Sequence, residues 1–212
     1  MGRLSRLDPL VLARHYWPNI KFYNKQIEII DSVWNNDETV VVAGNELGKD
    51  FVSAFIVLAF FLTRHPCRIV TTSVDHLQLE GVLWGEIRRF IQNSKYPLDS
   101  AHGGPLLINH MHIRRVIAGE LCATSYIIGR VAAKGEGMLG HHCNFPECCS
   151  IQIPQDGTPR TLFVADEASG VDDLSYERAD TWAKRKLSIG NPFPCSNFFF
   201  DAVKEGDILA TT

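Results

Sequence analysis

The sequence lacks any apolar stretch long enough to cross a lipid bilayer. Its longest apolar run, residues 51–62, covers twelve positions and contains a serine, whereas a membrane-spanning helix needs about 20 apolar residues. Residues 1–18 contain arginine but have neither a long apolar segment nor a small-residue cleavage site, so they do not resemble a signal peptide. These absences argue against a membrane-spanning or exported protein, and they predict that residues 51–62 form a buried helix.

Basic charge is also in short supply. The chain has 21 Lys and Arg against 24 Asp and Glu, a net charge of −3, which is unlike a protein that coats DNA. Basic clusters at 88–89, 114–115 and 184–186 are short, and solvated faces explain them as readily as contacts with a phosphate backbone. Because no export signal is recognised, we expect the six cysteines to be thiols rather than disulfides.

What the chain does contain is an alternation of strand and helix patterns. With 212 residues, of which 45% are hydrophobic, it fits one large globular domain. Strands are predicted at 39–43, 68–73, 112–118, 123–132, 161–165 and 187–190, helices at 24–34, 49–63, 75–93 and 172–186, and loops at 94–110 and 133–160. This pattern predicts an α/β fold with a mostly parallel sheet flanked by helices on both faces, and ligands at the carboxyl ends of the strands.

The strongest local motif is the octapeptide AGNELGKD at residues 43–50. A β-branched run ends at Ala43, a glycine loop follows, and Lys49 opens a helix, which is the strand–loop–helix context of a phosphate-binding loop. Lys49 is expected to reach the β- and γ-phosphates of a nucleotide. The backbone N–H groups expected to surround the phosphates belong to Gly44, Asn45, Glu46, Leu47, Gly48 and Lys49.

Two positions of this motif depart from the usual pattern. Ala43 replaces the first glycine, and Asp50 replaces the Ser or Thr that usually binds Mg²⁺. A carboxylate can itself coordinate magnesium, but it also brings negative charge near phosphate. The alternative interpretation is a simple helix N-terminus, in which Gly48 and Asp50 serve turn and capping roles.

An acidic pair follows another buried strand. Residues 161–165 are mostly apolar and lead directly into Asp166 and Glu167. If this strand lies beside the strand of the phosphate loop, Asp166 would hold the water shell of Mg²⁺ and Glu167 would polarise the attacking water. Acids at a strand end also commonly cap the next helix, and that alternative stays open for the pair taken alone.

Two further segments could complete a nucleotide site. Gln26 could pair with adenine in the geometry that Gln uses on this base elsewhere, and Tyr23 could supply an aromatic face. The alternative is a helix N-terminus with Tyr23 packed in the core. Ser188 and Asn191 end the last predicted strand and could sense the γ-phosphate, although an Asn-Pro turn explains the same residues.

The order of these motifs resembles a known family. The segments YNKQ, GNELGKD, RIVTTS, GRVAAKGEGMLGHH, LFVADEASGV and SIGNP look like the ATPase domain of the large terminase subunit of tailed bacteriophages, over residues 20–200. The resemblance implies a RecA-like P-loop NTPase fold, with ATP and Mg²⁺ as cofactors. It also implies a motor that pushes double-stranded DNA into procapsids, as a homo-oligomeric ring on the portal protein with a small terminase subunit, in the cytoplasm of the infected bacterial host.

The resemblance also assigns roles to residues. It implies that Lys49, Asp166 and Glu167 are the P-loop lysine, the magnesium aspartate and the catalytic glutamate. Gln26 would read adenine, and Ser188 and Asn191 would couple hydrolysis to movement. Family members usually continue into a ribonuclease-H-like nuclease; about twenty residues follow position 192 here, so we expect a single ATPase domain over 1–212 without nuclease activity.

Arg130 is a candidate for an arginine that stabilises the charge developing on the γ-phosphate, in cis or across a ring interface. The alternative is an ordinary solvated or salt-bridged arginine. Arg64, Arg178 and Arg185 are rival candidates among which the sequence does not choose.

A cluster of histidines and cysteines occupies residues 141–149. The members are His141, His142, Cys143, Cys148 and Cys149. Their Cys-x4-Cys spacing falls within the range seen for zinc, but no distant second pair is evident. The favoured interpretation is therefore buried thiols and loop histidines, with a zinc site as the alternative.

Two other functions compete with a packaging ATPase. One is a helicase-type ATPase, which normally needs a second motor domain. The other is a degenerate, non-hydrolysing module that binds nucleotide or DNA during assembly. Asp50 favours the degenerate module, whereas the intact pair of Asp166 and Glu167 opposes it.

Overall fold

The computed structural model describes residues 8–44, 48–131, 137–144, 147–148, 151–152, 156–191, 196–205 and 208–211. Its strands are β1 (Glu38–Ala43), β2 (Arg68–Thr72), β3 (Leu106–Asn109), β4 (His112–Ile117), β5 (Glu120–Gly129), β6 (Glu147–Cys148), β7 (Ile151–Gln152), β8 (Thr161–Asp166), β9 (Arg185–Gly190) and β10 (Ile208–Thr211). Eight of them form one sheet in the order β10-β1-β9-β8-β2-β5-β4-β3, and β6 and β7 form a separate short hairpin.

The helices are α1 (Pro9–Tyr16), α2 (Asn24–Asn35), α3 (Lys49–Thr63), α4 (His76–Gln78), α5 (Trp84–Gln92), α6 (Asp173–Asp180) and α7 (Phe198–Glu205). A π-helical turn over Leu79–Leu83 joins α4 to α5. Asp75 caps α4 by accepting a hydrogen bond from the backbone N–H of Gln78 at 2.8 Å. Among the described residues, no helix has the length and apolar composition required to cross a membrane.

Strand direction and burial confirm the predicted fold class. The strand pairs between β10 and β5 in the sheet order are all parallel, and only the pairs β5–β4 and β4–β3 at one edge are antiparallel. Adjacent residues of one strand belong to different cores: Val41 packs with α1, α2, α3 and α5, and Val40 packs with α6 and α7. Helices therefore cover both faces of a mostly parallel sheet, which explains why the strands read as continuous apolar runs.

Strand order differs from the predicted arrangement in one respect. The acidic strand β8 does not lie beside β1, because β9 is inserted between them and pairs with both. The connection from β1 through α3 places β2 three positions away in the sheet, and β8 and β9 fill the intervening space. The apolar patterns of these strands are alike, so they do not encode this order.

Several other boundaries also differ from prediction, including the helix over 75–93, which a π-helical turn interrupts, and the strand over 123–132, which spans Glu120–Gly129. Residues 94–110 are not wholly a loop, because they contain β3 and a short 3-10 turn. The helix predicted over 172–186 ends at Asp180, since the indole of Trp182 turns inward and donates a hydrogen bond to the Met138 carbonyl at 2.6 Å. Strand 187–190 begins earlier, at Arg185, and it is followed by a further strand, β10.

Candidate nucleotide-binding site

The site is built where β1, β8 and β9 end. Gly48 precedes α3 with a φ of +69°, a left-handed conformation that favours glycine. A Cβ added at Gly48 would lie 2.9 Å from the side-chain nitrogen of Gln26, so space as well as backbone conformation requires glycine here. This tight approach fixes the start of α3 against α2 and aims its first residue, Lys49, into the site.

Lys49, Glu167 and Asn191 form a closed set of hydrogen bonds. The ammonium of Lys49 donates to Glu167 Oε1 and, at 3.2 Å, to Asn191 Oδ1. Asn191 Nδ2 donates to the other carboxylate oxygen of Glu167, also at 3.2 Å. The side chains of Lys49 and Glu167 are only 8% and 14% exposed, so their ion pair is shielded from the screening that weakens surface pairs.

Glu167 has an uncommon backbone conformation. Its φ of 51° and ψ of 48° are left-handed, which costs about 1–2 kcal/mol for a residue with a side chain. The strain occurs directly after β8, where the chain enters a 3-10 turn over Ala168–Gly170. Strained residues of this kind concentrate at functional sites, and here the strain accompanies a carboxylate that faces Lys49.

Asp166 is a fully buried carboxylate, and the charge of Lys49 and the backbone N–H of Glu167 offset only part of the effect of burial on its pKa. It is fully inaccessible, and neither carboxylate oxygen has a hydrogen-bond partner among the described residues. Burial, followed by the negative charges of Asp50 and Glu167, raises its pKa to about 8. A buried carboxylate without a partner is costly, and a bound cation would remove that cost. The arrangement therefore fits a magnesium site.

Asp50 faces the same space as Asp166. Burial raises its pKa, the charge of Lys49 opposes that rise, and the charges of Glu167 and Glu86 reinforce it. The residue at the N-cap of α3 is Gly48, which offers no side-chain cap. Asp50 is thus placed near the positive end of the helix dipole and within electrostatic range of the unpaired carboxylate.

Three hydroxyl groups lie near the carboxyl ends of the strands that carry this site. Thr72 ends β2 and Ser73 follows it, while Ser188 lies on β9 in register with Ala165 of β8. The hydroxyl oxygens of all three are buried and have no partner among the described residues. Such groups suit a shell of bound water or phosphate oxygens. Thr72 and Ser73 were not among the predicted site residues, although their polar character after an apolar strand was a usable signal.

The two adenine candidates differ in burial. Gln26 is 4% exposed and its Oε1 accepts a hydrogen bond from the backbone N–H of Tyr23 at 3.4 Å, whereas Tyr23 is 46% exposed. The helix N-terminus interpretation is therefore confirmed for Gln26, and the idea that Tyr23 packs in the core is wrong. Contact with adenine stays a prediction for both. The loop positions Asn45, Glu46 and Leu47 lie outside the described residues.

Arg130 also lies at the carboxyl ends of the strands, but it follows β5, which is two strands away from β8. The backbone N–H of Arg130 donates to the Thr71 carbonyl at 2.9 Å, and its side chain is exposed and passes Gly137. Two rival arginines, Arg64 and Arg185, lie instead at the amino ends of the strands. The guanidinium of Arg64 lies 3.7 Å from the centre of the Phe60 ring, and Arg185 pairs with Asp37. Neither rival is placed to contact a nucleotide at the carboxyl ends of the strands.

Comparisons with known proteins add the fold family. No protein-family model matches the sequence, and no curated protein is significantly similar to it. The ATPase domain of the large terminase of Thermus phage P74-26 superimposes with a TM-score of 0.61 at 16% identity, covering 85% of this chain and 68% of that one.

A large terminase from a thermophilic bacteriophage gives a TM-score of 0.57 at 14% identity, covering 90% of this chain and 44% of that one. The same terminase in complex with ATP-gamma-S gives a TM-score of 0.54 at 12% identity. This chain therefore spans less than half of that terminase. At these identities the comparisons show the fold: the chain has the RecA-like fold of phage large terminase ATPase domains, as the motifs predict.

Proposed function

We propose that this chain is the ATPase domain of a phage large terminase, which hydrolyses ATP with Mg²⁺ to drive double-stranded DNA into procapsids. The observation that carries the proposal is the contact of Lys49 with Glu167 and Asn191, beside the unpartnered carboxylate of Asp166. A P-loop lysine, a metal-binding acid and a general base are the parts that phosphoryl transfer to water requires. The likeness to a terminase in complex with ATP-gamma-S supports the same assignment.

Each residue of the site has a distinct task in this proposal. Lys49 leaves Glu167 and binds the β- and γ-phosphates, which frees the Glu167 carboxylate to accept a proton from the attacking water. Asp166 and Asp50 hold Mg²⁺, which supplies charge neutralisation for the phosphates. Asn191 contacts both Lys49 and Glu167, so it registers whether the two are paired. It and Ser188, on the same segment, are the proposed coupling residues.

The remaining assignments concern the assembled motor. The exposed Arg130 is free of the burial that removes Arg64 from consideration, and we place it as the residue that acts on nucleotide in cis or in a neighbouring subunit of a ring. Gln26 and Tyr23 contact adenine, and the residues 44–49 surround the phosphates. The partners are double-stranded DNA, a portal protein and a small terminase subunit, in the cytoplasm of a bacterial host.

The test compares hydrolysis in the wild type with that in Glu167→Gln. The variant keeps the size of the side chain but removes the proton acceptor, so the single-turnover rate should fall about 10²- to 10⁴-fold while ATP still binds. Glu177→Gln is the matched control, because Glu177 is exposed on α6 and its replacement should leave the rate unchanged. A wild-type rate in Glu167→Gln would contradict the assignment.

A degenerate module is the second candidate, and Asp50 is the feature that favours it, because a second carboxylate near Asp166 opposes phosphate binding. Steady-state ATPase assays with and without double-stranded DNA separate the candidates. Turnover stimulated by double-stranded DNA supports the packaging motor. Binding without turnover supports the module, and stimulation by single-stranded DNA alone supports a helicase-like enzyme.

A further inference from the structure

Three side chains, one histidine and two cysteines, come together near the amino ends of the strands, and both residue types commonly bind metals in proteins. His65 lies in the connection between α3 and β2, Cys122 lies near the start of β5, and Cys148 lies on the β6–β7 hairpin. One donor atom from each comes within 4.8 Å of the others, and the two sulfurs are 3.3 Å apart. Residues from three separate segments, up to 83 positions apart in sequence, thus form one buried cluster.

The histidine ring is fixed in an orientation suited to a ligand. Its Nδ1 lies 3.1 Å from the hydroxyl of Ser125, and the same hydroxyl accepts a hydrogen bond from the backbone N–H of Cys67 at 3.1 Å. Its Nε2 is buried and has no partner among the described residues. Metal-binding histidines commonly have one nitrogen anchored in this way while the other binds the ion.

A hydrogen-bond donor and a positive charge lie beside the two cysteines. The hydroxyl of Thr124 lies 3.2 Å from the sulfur of Cys122 and also contacts that of Cys148, so it can donate a hydrogen bond to a thiolate. The guanidinium of Arg115 interacts electrostatically with both cysteines. Zinc binds cysteine as the thiolate, and these groups are placed to stabilise the sulfurs of a bound site.

We propose that His65, Cys122 and Cys148 bind a structural zinc ion. Zinc prefers sulfur and imidazole ligands at about 2.0–2.3 Å, which puts tetrahedral ligand atoms roughly 3.3–3.8 Å apart. The observed spacing needs only small side-chain rotations to reach that geometry. Cys143 interacts electrostatically with both cysteines but lies outside the cluster of donor atoms within 4.8 Å, so a water molecule would complete the tetrahedral shell unless Cys143 moves inward.

The site differs from the cluster suggested by sequence spacing. His141 is not available, because its Nδ1 contacts the Tyr126 hydroxyl at 2.7 Å and its Nε2 contacts the Gly137 carbonyl at 2.9 Å. The distant ligands that the 141–149 segment lacks are supplied instead by His65 and Cys122. Because the nucleotide site lies at the carboxyl ends of the strands and Cys122 lies near the amino end of β5, this zinc would anchor the β6–β7 hairpin rather than take part in hydrolysis.

Metal analysis of the purified full chain tests the proposal. The wild type should contain one zinc per chain, and cobalt substitution should give the visible bands of a tetrahedral site together with a thiolate-to-cobalt charge-transfer band. Cys122→Ser, Cys148→Ser and His65→Ala should each lower zinc affinity more than about a hundredfold in competition with a chromophoric chelator, since loss of supporting residues alone costs 10- to 100-fold.

Cys67→Ala is the matched control, because Cys67 is a buried thiol that contacts the Phe60 carbonyl at 3.9 Å and is outside the donor cluster. It should retain zinc. Circular dichroism establishes whether each variant is folded. If a variant fails to fold, the cobalt spectrum of the wild type alone tests whether the zinc site exists. Absence of the charge-transfer band, retention of zinc in all three variants, or a Cys122–Cys148 disulfide found by thiol titration would overturn the proposal.

Discussion

The ammonium of Lys49 donates a hydrogen bond to the carboxylate of Glu167, so the lysine proposed to bind phosphate and the proposed general base are held as one buried ion pair. In this arrangement the Glu167 carboxylate is occupied by the ammonium of Lys49, and the positive charge of Lys49 already has a negative partner. Breaking a buried pair without replacement is costly. In the proposed mechanism, a nucleotide that offers phosphate oxygens to Lys49 would replace Glu167 as its partner, and Glu167 would be released only when nucleotide is bound.

The first prediction concerns Lys49→Ala. A charge-assisted hydrogen bond to phosphate contributes about 1.5–3 kcal/mol, so Mg-ATP affinity in calorimetric titration should fall roughly ten- to a hundredfold. Lys25→Ala is the control, since Lys25 pairs with Glu28 on the exposed side of α2, and it should bind as the wild type does. Equal affinities in the two variants would remove Lys49 from the site.

The second prediction concerns Asp50→Ala. If Asp50 binds magnesium, the variant should lose affinity for Mg-ATP but not for metal-free ATP. If it only stabilises the helix N-terminus, the variant should lose about 1 kcal/mol of stability and bind Mg-ATP at least as well. Asp201→Ala is the matched control, because Asp201 is an exposed acid in the first turn of α7. Measuring both affinities and the free energy of unfolding on each variant separates the two roles.

The third prediction is a pH dependence from Asp166. Its pKa is raised from 3.8 to about 8 in the folded chain, so the folded state binds more protons than the unfolded state between these values. Without nucleotide and metal, the free energy of unfolding should therefore decrease as pH rises from about 4 to 8, by at most about 1.4 kcal/mol per pH unit from this group.

Asp166→Asn checks that assignment in thermal unfolding. The amide cannot ionise, so the decrease should become smaller and the variant should exceed the wild type in stability near pH 8. Magnesium-dependent nucleotide binding should be lost in the same variant. An unchanged pH profile would mean that another group causes the decrease.

The fourth prediction concerns Gly48→Ala. The left-handed backbone costs about 1–2 kcal/mol for alanine, and the added Cβ would approach the Gln26 side chain at 2.9 Å. We expect a lower free energy of unfolding and weaker nucleotide binding. Gly85→Ala is the control, because that helical glycine has open space around it, and alanine should stabilise α5 by about 0.5–1 kcal/mol. Combining Gly48→Ala with Gln26→Ala should recover only the part of the lost stability that is due to the close contact, and not the part due to the left-handed backbone.

Local features of the sequence were sufficient for much of the fold. The apolar run of α3 follows a glycine loop and precedes Pro66, and the predicted range 49–63 matches the helix in full. The strand of the phosphate loop and the acidic strand were likewise predicted within one residue. These elements have both a strong hydrophobic pattern and clear turn residues at their ends, so short-range physics determines them.

The features that were not predicted depend on contacts distant in sequence. Nothing in the apolar pattern of 187–190 places that strand between β1 and β8, because buried parallel strands look alike. The left-handed backbone of Glu167 likewise arises from the packing around it, since glutamate itself disfavours that conformation. His65 and Cys148 are 83 positions apart in sequence and come together only in the fold. Sequence patterns for metal ligands detect only ligands that are close together in the chain.

The insertion of β9 between β1 and β8 gives this strand polar side-chain contacts at both of its ends. Its carboxyl end leads to Asn191, which contacts both Lys49 and Glu167. Its amino end carries Lys186, which binds Asp180 of α6 at 2.8 Å and Glu38 of β1 at 3.5 Å. We therefore expect a change in the pairing of Lys49 with Glu167 to be transmitted along β9 to Lys186, whose carboxylate partners are accessible to solvent.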